Sequence, residues 1–191
     1  MSDISTSRWA RVRAHSLFWP LVTLLLILAV DASLNPGFWK LEWRGDHLYG
    51  SVIDILNRAA PLMLVSLGMT LVIATRGIDI SVGAVVAISA SVAALMVGGE
   101  LVITNGVAAH ISRFPMWVAI GCALAAGLAC GLWNGFLVAN LGMQPIIATL
   151  ILMVAGRGFA QLITDGQIIT VYYPPYFFIG NGYLLGLPFT L

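Results

Sequence analysis

The part of the sequence with the most chemical potential is residues 75–83, which read Thr-Arg-Gly-Ile-Asp-Ile-Ser-Val-Gly between two apolar runs. Two opposite charges and two glycines lie close together here, and Asp79 or Ser81 can cap the helix that follows by accepting from its free N–H groups. One interpretation is a tight cytoplasmic turn before a capped helix. The other is a broken helix beside a transport path, because lipid tolerates irregular backbone only where it is buried in protein or lines a cavity.

A second polar residue, Asn134, lies beside a stripe of small residues in an apolar run. The stripe repeats every four residues and consists of Ala119, Ala123, Gly127, Gly131 and Gly135. Small residues on one face let two helices approach closely, so the stripe predicts helix packing. Asn134 then forms either an interhelical hydrogen bond or a contact with a transported substrate.

Arg157 is the third candidate, and it follows Pro145 by twelve residues. That separation is about 18 Å along a helix, which is past the middle of a bilayer. Ionisable residues at such depths usually face protein or water. Arg157 therefore anchors the wall of a lumen, or it snorkels to the interface or pairs with Asp165.

The uncharged turn before Pro145 is the fourth candidate, with the sequence Asn-Leu-Gly-Met-Gln-Pro. It is either an ordinary helix hairpin or a docking loop for a cytoplasmic partner. Its candidate docking residues are Asn140, Gly142, Gln144 and Pro145.

The sequence lacks the motifs of the common enzyme classes. Lys40 is the only lysine and has no glycine-rich phosphate loop around it, so any ATP must be handled by another chain. The histidines are far apart, and no zinc or serine-hydrolase motif is present. Cys122 and Cys130 are about 12 Å apart on a helix, too far for a disulfide. We therefore expect neither an enzyme nor a cofactor or metal.

Composition indicates the elements that position these residues. The chain of 191 residues is 60% hydrophobic and only 9% charged, whereas soluble domains carry about 25% charged residues. The net charge of +1 gives no reason to expect a nucleic-acid partner. These values predict an all-α polytopic bundle in contact with membrane lipid.

Charged residues and turn signals divide the chain into about five membrane spans within a single domain. The basic residues Arg8, Arg11 and Arg13 before the first span predict a cytoplasmic N-terminus. The turns at Arg76 and Asn140 then face the cytoplasm, and the loops around Lys40, Asn105 and Tyr173 face outward. The predicted spans are 16–34, 52–75, 81–103, 115–139 and 146–163, followed by an interfacial loop and the start of a sixth span at 187–191.

These segments resemble the permease subunits of bacterial ABC importers for monosaccharides of the ribose, xylose, arabinose and galactose type. The resemblance is carried by residues 69–83, 131–137 and 145–150 with Arg157-Gly158, and it covers roughly residues 55–165. Members of that family have about 300 or more residues. The chain is therefore expected to represent the N-terminal part of such a permease.

The resemblance implies a permease homodimer around one central path in the bacterial inner membrane, served by cytoplasmic ATP-binding subunits and a periplasmic sugar-binding protein. It implies coupling to the ATPase in the region 135–149. It also implies pathway or gating roles for Thr75, Gly77, Asp79, Ser81, Gly83, Asn134 and Arg157.

Two rival functions remain at this stage. A permease of the branched-chain amino-acid ABC type shares the architecture. A self-sufficient secondary transporter or channel is the rival from another class, although no paired carboxylates lie at the centre of a span.

Overall fold

The computed structural model describes residues 13, 15–45, 47–98, 100–104 and 107–190, with backbone alone at 100–104 and 107–111. Arg8, Arg11, Asn105 and Leu191, on which some predictions above depend, lie outside the described residues. The chain divides into two compact units, Met1–Leu56 and Asn57–Leu191.

The first unit contains one apolar helix and a small hairpin. Helix α1 (Phe18–Leu34) ends where Asn35 donates its backbone N–H and its side-chain amide to Asp31, at 2.9 and 2.8 Å. Strand β1 (Glu42–Arg44) pairs antiparallel with β2 (His47–Tyr49).

Five further helices follow, and the boundary between the units falls within the first of them. They are α2 (Ser51–Ala74), α3 (Val82–Val97), α4 (Met116–Ala139), α5 (Pro145–Ile163) and α6 (Pro174–Asn181). Helix α3 packs against both α4 and α5, which also contact each other. A helix with two packed neighbours needs apolar residues on several faces. Accordingly, α3 is composed almost entirely of small and aliphatic residues, and those it buries are Ala84, Ile88, Ala93 and Val97.

Within the described part of the chain, α2, α4 and α5 are long and apolar enough to cross a membrane. Helices α1 and α3 are shorter, with 17 and 16 residues, or about 26 and 24 Å at the rise of an α-helix. Helices α1, α2, α4 and α5 occupy segments in which spans are predicted. The expected all-α bundle is therefore found, and the short hairpins are additions to it.

The region between α3 and α4 differs from the prediction. A helical span is predicted to continue to Ile103, but α3 ends at Val97 and residues Glu100–Thr104 form strand β3, antiparallel to β4 (Val107–Ile111). The prediction is wrong there because two glycines, Gly98 and Gly99, follow the helix, and glycine is a poor helix former. The Leu-Val-Ile-Thr run after them has the β-branched character of a strand.

The C-terminal region also differs. Two prolines at the first helical positions begin α6, where their missing N–H groups cost little. Strands β5 (Tyr183–Leu184) and β6 (Leu187–Pro188) then form a hairpin, in which both turn residues have positive φ: 55° at Leu185 and 83° at Gly186. The predicted start of a sixth helix is therefore wrong for residues 187–190.

Backbone hydrogen bonds terminate helix α2 at its C-terminal end. The N–H of Gly77 donates to the carbonyl of Val72 at 2.9 Å, and Arg76 lies in the left-handed region with φ of 61°. This is a Schellman motif, in which glycine is the usual left-handed residue. Helix α5 ends in the same way at Asp165 and Gly166. This C-terminus of α2 leads into residues 75–81, the non-helical connection to α3, which we call the broken segment.

Candidate functional site

The broken segment is the non-helical connection between α2 and α3, and Asp79 organises it. One oxygen of the Asp79 carboxylate, Oδ1, accepts from the backbone N–H of Ser81 at 2.7 Å and from its hydroxyl at 2.6 Å. Ser81 is fully buried and Asp79 is half-buried. The carboxylate thus holds a local turn two residues long.

The predicted helix cap takes a different form. Ser81 is the N-cap residue of α3, but its side chain makes no capping hydrogen bond because its hydroxyl donates to Asp79. Asp79 in turn accepts from the N–H of Ser81 and not from the first turn of the helix. The prediction that either side chain caps α3 is therefore wrong, since the two bind each other.

Asn134 of α4 joins this pair from the neighbouring helix. Its side-chain Nδ2 donates to the hydroxyl oxygen of Ser81 at 3.0 Å, and the residue is only 7% exposed. The Ser81 hydroxyl therefore accepts from Asn134 and donates to Asp79, which fixes the direction of both bonds. Among the residues that the structure describes, Asn134 Oδ1 is buried and has no partner.

Thr149 of α5 holds the backbone of the broken segment. Its Oγ1 accepts from the N–H of Ile80 at 3.3 Å, and the same hydroxyl lies 3.4 Å from the carbonyl of Ile78 and 2.9 Å from that of Pro145. Thr149 is 4% exposed. In an apolar environment, a backbone N–H without a partner is costly, so this contact helps the segment to remain irregular.

Residues distant in sequence thus meet at one place, which we call the polar cluster: Asp79, Ser81, Asn134 and Thr149. Each of the three motif segments identified from the sequence contributes to it. Thr149 was not among the predicted site residues. The sequence feature that could have identified Thr149 was its hydroxyl group, which lies one turn into the otherwise apolar helix α5 and within the motif at residues 145–150.

A cleft of about 360 Å³ lies beside the polar cluster. Its α2 wall is apolar, with Leu64, Val65, Gly68, Met69 and Val72. The rest of the lining combines Asp79, Ser81 and Asn134 with the α3 residues Val82, Val85 and Val86 and the α4 residues Gly127 and Gly131. The cleft is therefore largely apolar, with one carboxylate among its lining residues.

Four other predicted pathway residues lie outside the polar cluster. Thr75 donates its hydroxyl to the carbonyl of Val72 at 2.8 Å, within the last turn of α2, and Gly77 completes the end of that helix. Gly83 is exposed, and an added Cβ there would meet no atom within 4 Å. Arg157 is exposed on α5. The structure thus brings together Asp79, Ser81 and Asn134 alone from the predicted pathway set.

The predicted docking loop is the connection between α4 and α5. Asn140 ends α4 by donating its N–H to the carbonyl of Phe136 at 3.0 Å, and Gly142 turns the chain with φ of 65°. Gln144 is the N-cap residue of α5 and Pro145 its first residue, where proline is favoured. The loop therefore joins the two helices that carry Asn134 and Thr149.

The glycines of the helices differ in how tightly they are packed. A Cβ at Gly127 would lie 3.2 Å from a serine hydroxyl of α3, whereas at Gly131 and Gly135 it would meet nothing within 4 Å. The tightest helix contact is at Gly156 of α5, where a Cβ would lie 2.9 Å from Cβ of Ala84. The stripe on α4 thus contributes one close approach within the chain, and sequence reasoning missed the closer one on α5.

A larger cavity of about 830 Å³ lies between α3, α4 and α6. None of its lining residues is charged, and its polar side chains include Tyr176 and Asn181. It differs from the cleft in that its polar groups are all uncharged, whereas the cleft includes the carboxylate of Asp79. Among the described residues, no group of three or more histidine, cysteine or acidic side chains is placed to hold a metal ion.

Comparison with curated proteins gives several sugar permeases. The chain is 52% identical over 175 residues to the galactofuranose transporter permease protein YtfT of Escherichia coli strain K12, covering 89% of the chain and 48% of that protein. It is 37% identical to the fructose import permease protein FruF of Bifidobacterium longum, covering 93% of the chain and 48% of that protein. It is 33% identical to the ribose import permease protein RbsC of Escherichia coli K12, covering 88% and 47%.

The chain spans about half the length of these curated relatives. No solved structure matches it significantly. A family model described as "Branched-chain amino acid transport system / permease component" matches residues 51–184, a range that includes the broken segment, the polar cluster and the docking loop. With its apolar helices and these relatives, the chain is an integral membrane protein that belongs to this family of transport-system permease components.

Proposed function

We propose that the chain is part of the membrane-spanning permease subunit of an ATP-driven monosaccharide importer and forms the translocation path together with a second permease copy. The observation that carries the proposal is the similarity over nearly the whole chain to permeases named for galactofuranose, fructose and ribose. Three relatives named for different sugars favour a sugar as the transported class.

The proposed arrangement places a single permease domain, residues 1–191, in the bacterial inner membrane with a cytoplasmic N-terminus. The five spans follow α1 to α5, and the broken segment is re-entrant. The polar cluster supports this assignment, because irregular backbone within a membrane needs protein partners for its polar groups, and Thr149 and Asn134 supply them. In this arrangement Arg76 and the docking loop face the cytoplasm.

The proposed partners follow from the chemistry that the chain lacks. Its only lysine is Lys40, so ATP is bound and hydrolysed by a separate cytoplasmic subunit. Asn140, Gly142, Gln144 and Pro145 contact that subunit, and a periplasmic sugar-binding protein delivers the substrate. The path or its gate also includes four residues outside the polar cluster, namely Thr75, Gly77, Gly83 and Arg157. The first, third and fourth of these are exposed in this chain.

One alternative has a specific observation behind it. The matching family model is named for branched-chain amino acids, so a permease for leucine-like substrates is the second candidate. The polar cluster favours a hydroxylated solute over an aliphatic one, because it presents the carboxylate of Asp79 at the cleft. A self-sufficient transporter or channel would need no ATPase.

Reconstitution tests the proposal. The permease would be co-expressed with the ATP-binding subunit and the sugar-binding protein encoded beside it, purified and placed in proteoliposomes. We expect the ATP-binding subunit to co-purify, and ATP hydrolysis to rise several-fold when binding protein loaded with D-galactose, D-fructose or D-ribose is added. A Lys→Ala change in the phosphate loop of the ATP-binding subunit is the control and should abolish uptake.

Two results would overturn the proposal. Sugar uptake that persists with the inactive ATP-binding subunit would identify a self-sufficient transporter. Stimulation by leucine with its binding protein, and by none of the three sugars, would identify the amino-acid alternative.

A further inference from the structure

The cleft beside the polar cluster combines apolar walls with a single carboxylate. Aliphatic side chains of α2 and α3 line most of it, including Leu64, Met69 and Val85, and Asp79 lies among them. Its volume of about 360 Å³ is at the lower end of the range of about 300–1,000 Å³ for small-molecule sites. The ligand that such a cleft accepts is therefore small and has both polar and apolar surfaces.

The carboxylate of Asp79 retains capacity to accept hydrogen bonds. Both of its hydrogen bonds, from the N–H and the hydroxyl of Ser81, are made by Oδ1. Among the described residues, no side-chain cation pairs with Asp79, and its second oxygen accepts no hydrogen bond. A carboxylate without a cationic partner can accept hydrogen bonds from neutral donors such as hydroxyl groups. Hydroxyl groups bind an ionised acceptor more strongly than a neutral acceptor.

Asn134 holds the same end of the cleft in place. Its Nδ2 is committed to Ser81, while Oδ1 is buried and has no partner in the part of the chain that the structure describes. The acceptor that the cleft offers to ligand hydroxyls is therefore the second carboxylate oxygen of Asp79.

We propose that this cleft is a monosaccharide-binding site on the translocation path. Ring hydroxyls donate to the free carboxylate oxygen of Asp79, and aliphatic side chains of α2 and α3 cover the C–H face of the sugar. This inference rests on the proposed function and adds to it a place and a chemistry for the substrate within the membrane. Binding is weak, because a transport site must release what it accepts.

Gly131 provides the means to test the site. It lines the cleft on α4, and an added Cβ would meet nothing within 4 Å. Gly131→Leu therefore places a branched side chain in the cleft from a backbone position whose Cβ has room. Gly121→Leu is the matched control, because Gly121 is exposed on the same helix, also has open space at the Cβ position and does not line the cleft.

The assembled importer in proteoliposomes would be supplied with radiolabelled D-galactose, D-fructose and D-ribose. We expect Gly131→Leu to lower uptake of the transported sugar about tenfold, equivalent to about 1.4 kcal/mol, and Gly121→Leu to leave it unchanged. Asp79→Asn should lower uptake several-fold, since it removes the charge and keeps an oxygen that can accept from Ser81. Both leucine variants should keep the wild-type unfolding temperature and oligomeric state.

Chemical protection measures occupancy directly. In a background with Cys122→Ser and Cys130→Ser, a maleimide should modify Gly131→Cys more slowly when the transported sugar is present at millimolar concentration. Gly121→Cys should react at the same rate with and without the sugar. Slower reaction at position 131 alone supports a site in the cleft and cannot result from a general loss of activity.

The outcomes separate the two proposals. If the wild-type importer takes up none of the sugars, the proposed function fails. If the wild type is active but Gly131→Leu transports normally and position 131 is not protected, the cleft is not a sugar site. If Gly131→Leu causes loss of the permease dimer while Gly121→Leu does not, the cleft holds a helix of the second copy, and the sugar site is likewise overturned.

Discussion

At the scale of single residues, the irregular backbone between α2 and α3 depends on three side chains that supply missing hydrogen-bond partners. Asp79 satisfies the N–H of Ser81, Thr149 satisfies that of Ile80, and Asn134 attaches the turn to α4. Each contact has one defined direction, because a carboxylate only accepts and a backbone N–H only donates. The segment is therefore held from two helices that are distant in sequence.

Thr149→Val tests this dependence. Valine has nearly the same shape but no hydroxyl, so it removes a part-buried hydrogen bond and leaves the N–H of Ile80 without its partner. We expect a loss of about 1–3 kcal/mol in the free energy of unfolding, seen as a lower unfolding temperature of the protein in detergent. Thr149→Ser keeps the hydroxyl and should retain most of the stability. A valine variant that unfolds at the wild-type temperature would show that the Thr149 contact does not hold the segment.

At the scale of the elements, α3 is the centre of the bundle, and its contact with α5 is closer than its contact with α4. Gly156 allows this approach, since its missing side chain leaves room for Ala84 and Ile88. Gly127 plays a weaker part on α4, where the nearest atom is the hydroxyl of Ser89. The predicted close helix approach is not made at Gly131 or Gly135 within the described part of this chain, where an added Cβ would meet no atom within 4 Å.

Gly156→Ala tests the helix contact. The added methyl group would lie 2.9 Å from Cβ of Ala84, which cannot rotate away, so α3 and α5 must separate. We expect destabilisation of about 1–3 kcal/mol, measured by thermal unfolding in detergent. Gly158→Ala, on the same helix with no atom within 4 Å of the added methyl, should leave stability unchanged or raise it by up to about 1 kcal/mol. Equal stability of the two variants would contradict the close approach.

At the scale of the whole molecule, we propose that five spans alternate in direction across the membrane. If the N-terminus is cytoplasmic, four spans return the chain to the cytoplasmic side at the loop between α4 and α5. The fifth span then takes the residues after α5 to the outside. Asn140 and Gln167 are exposed on these two loops and are suitable reporters.

Single-cysteine labelling checks this topology. In the background with Cys122→Ser and Cys130→Ser, a membrane-impermeant maleimide added to spheroplasts should label Gln167→Cys and leave Asn140→Cys unlabelled. Inside-out vesicles should give the reverse result, because they expose the cytoplasmic face. Labelling of Asn140→Cys in spheroplasts would refute the cytoplasmic docking loop, and with it the proposed place of contact with the ATPase.

Part of this description follows from the sequence alone. Long apolar segments between charges or turns locate α2, α4 and α5, because in lipid a chain must satisfy its own backbone and a helix does so locally. The same local logic identifies residues 75–83 as irregular. It fails after Val97 and at residues 187–190, where glycines and β-branched or proline residues favour hairpins over helices.

Only the tertiary structure decides which polar groups meet. Asn134 is ambiguous in the sequence between a structural and a substrate contact, and the fold brings its amide to Ser81 while leaving its carbonyl unpaired. Thr149 and Gly156 are unremarkable in sequence because their roles depend on what α3 and the broken segment place opposite them. The sequence by itself thus indicated a membrane helix bundle and marked residues 75–83 as either a tight turn or a break between two apolar runs. Long-range packing decided how that interruption is held and where the cleft lies, because hydrogen bonds and close contacts between helices depend on partners that local sequence does not specify.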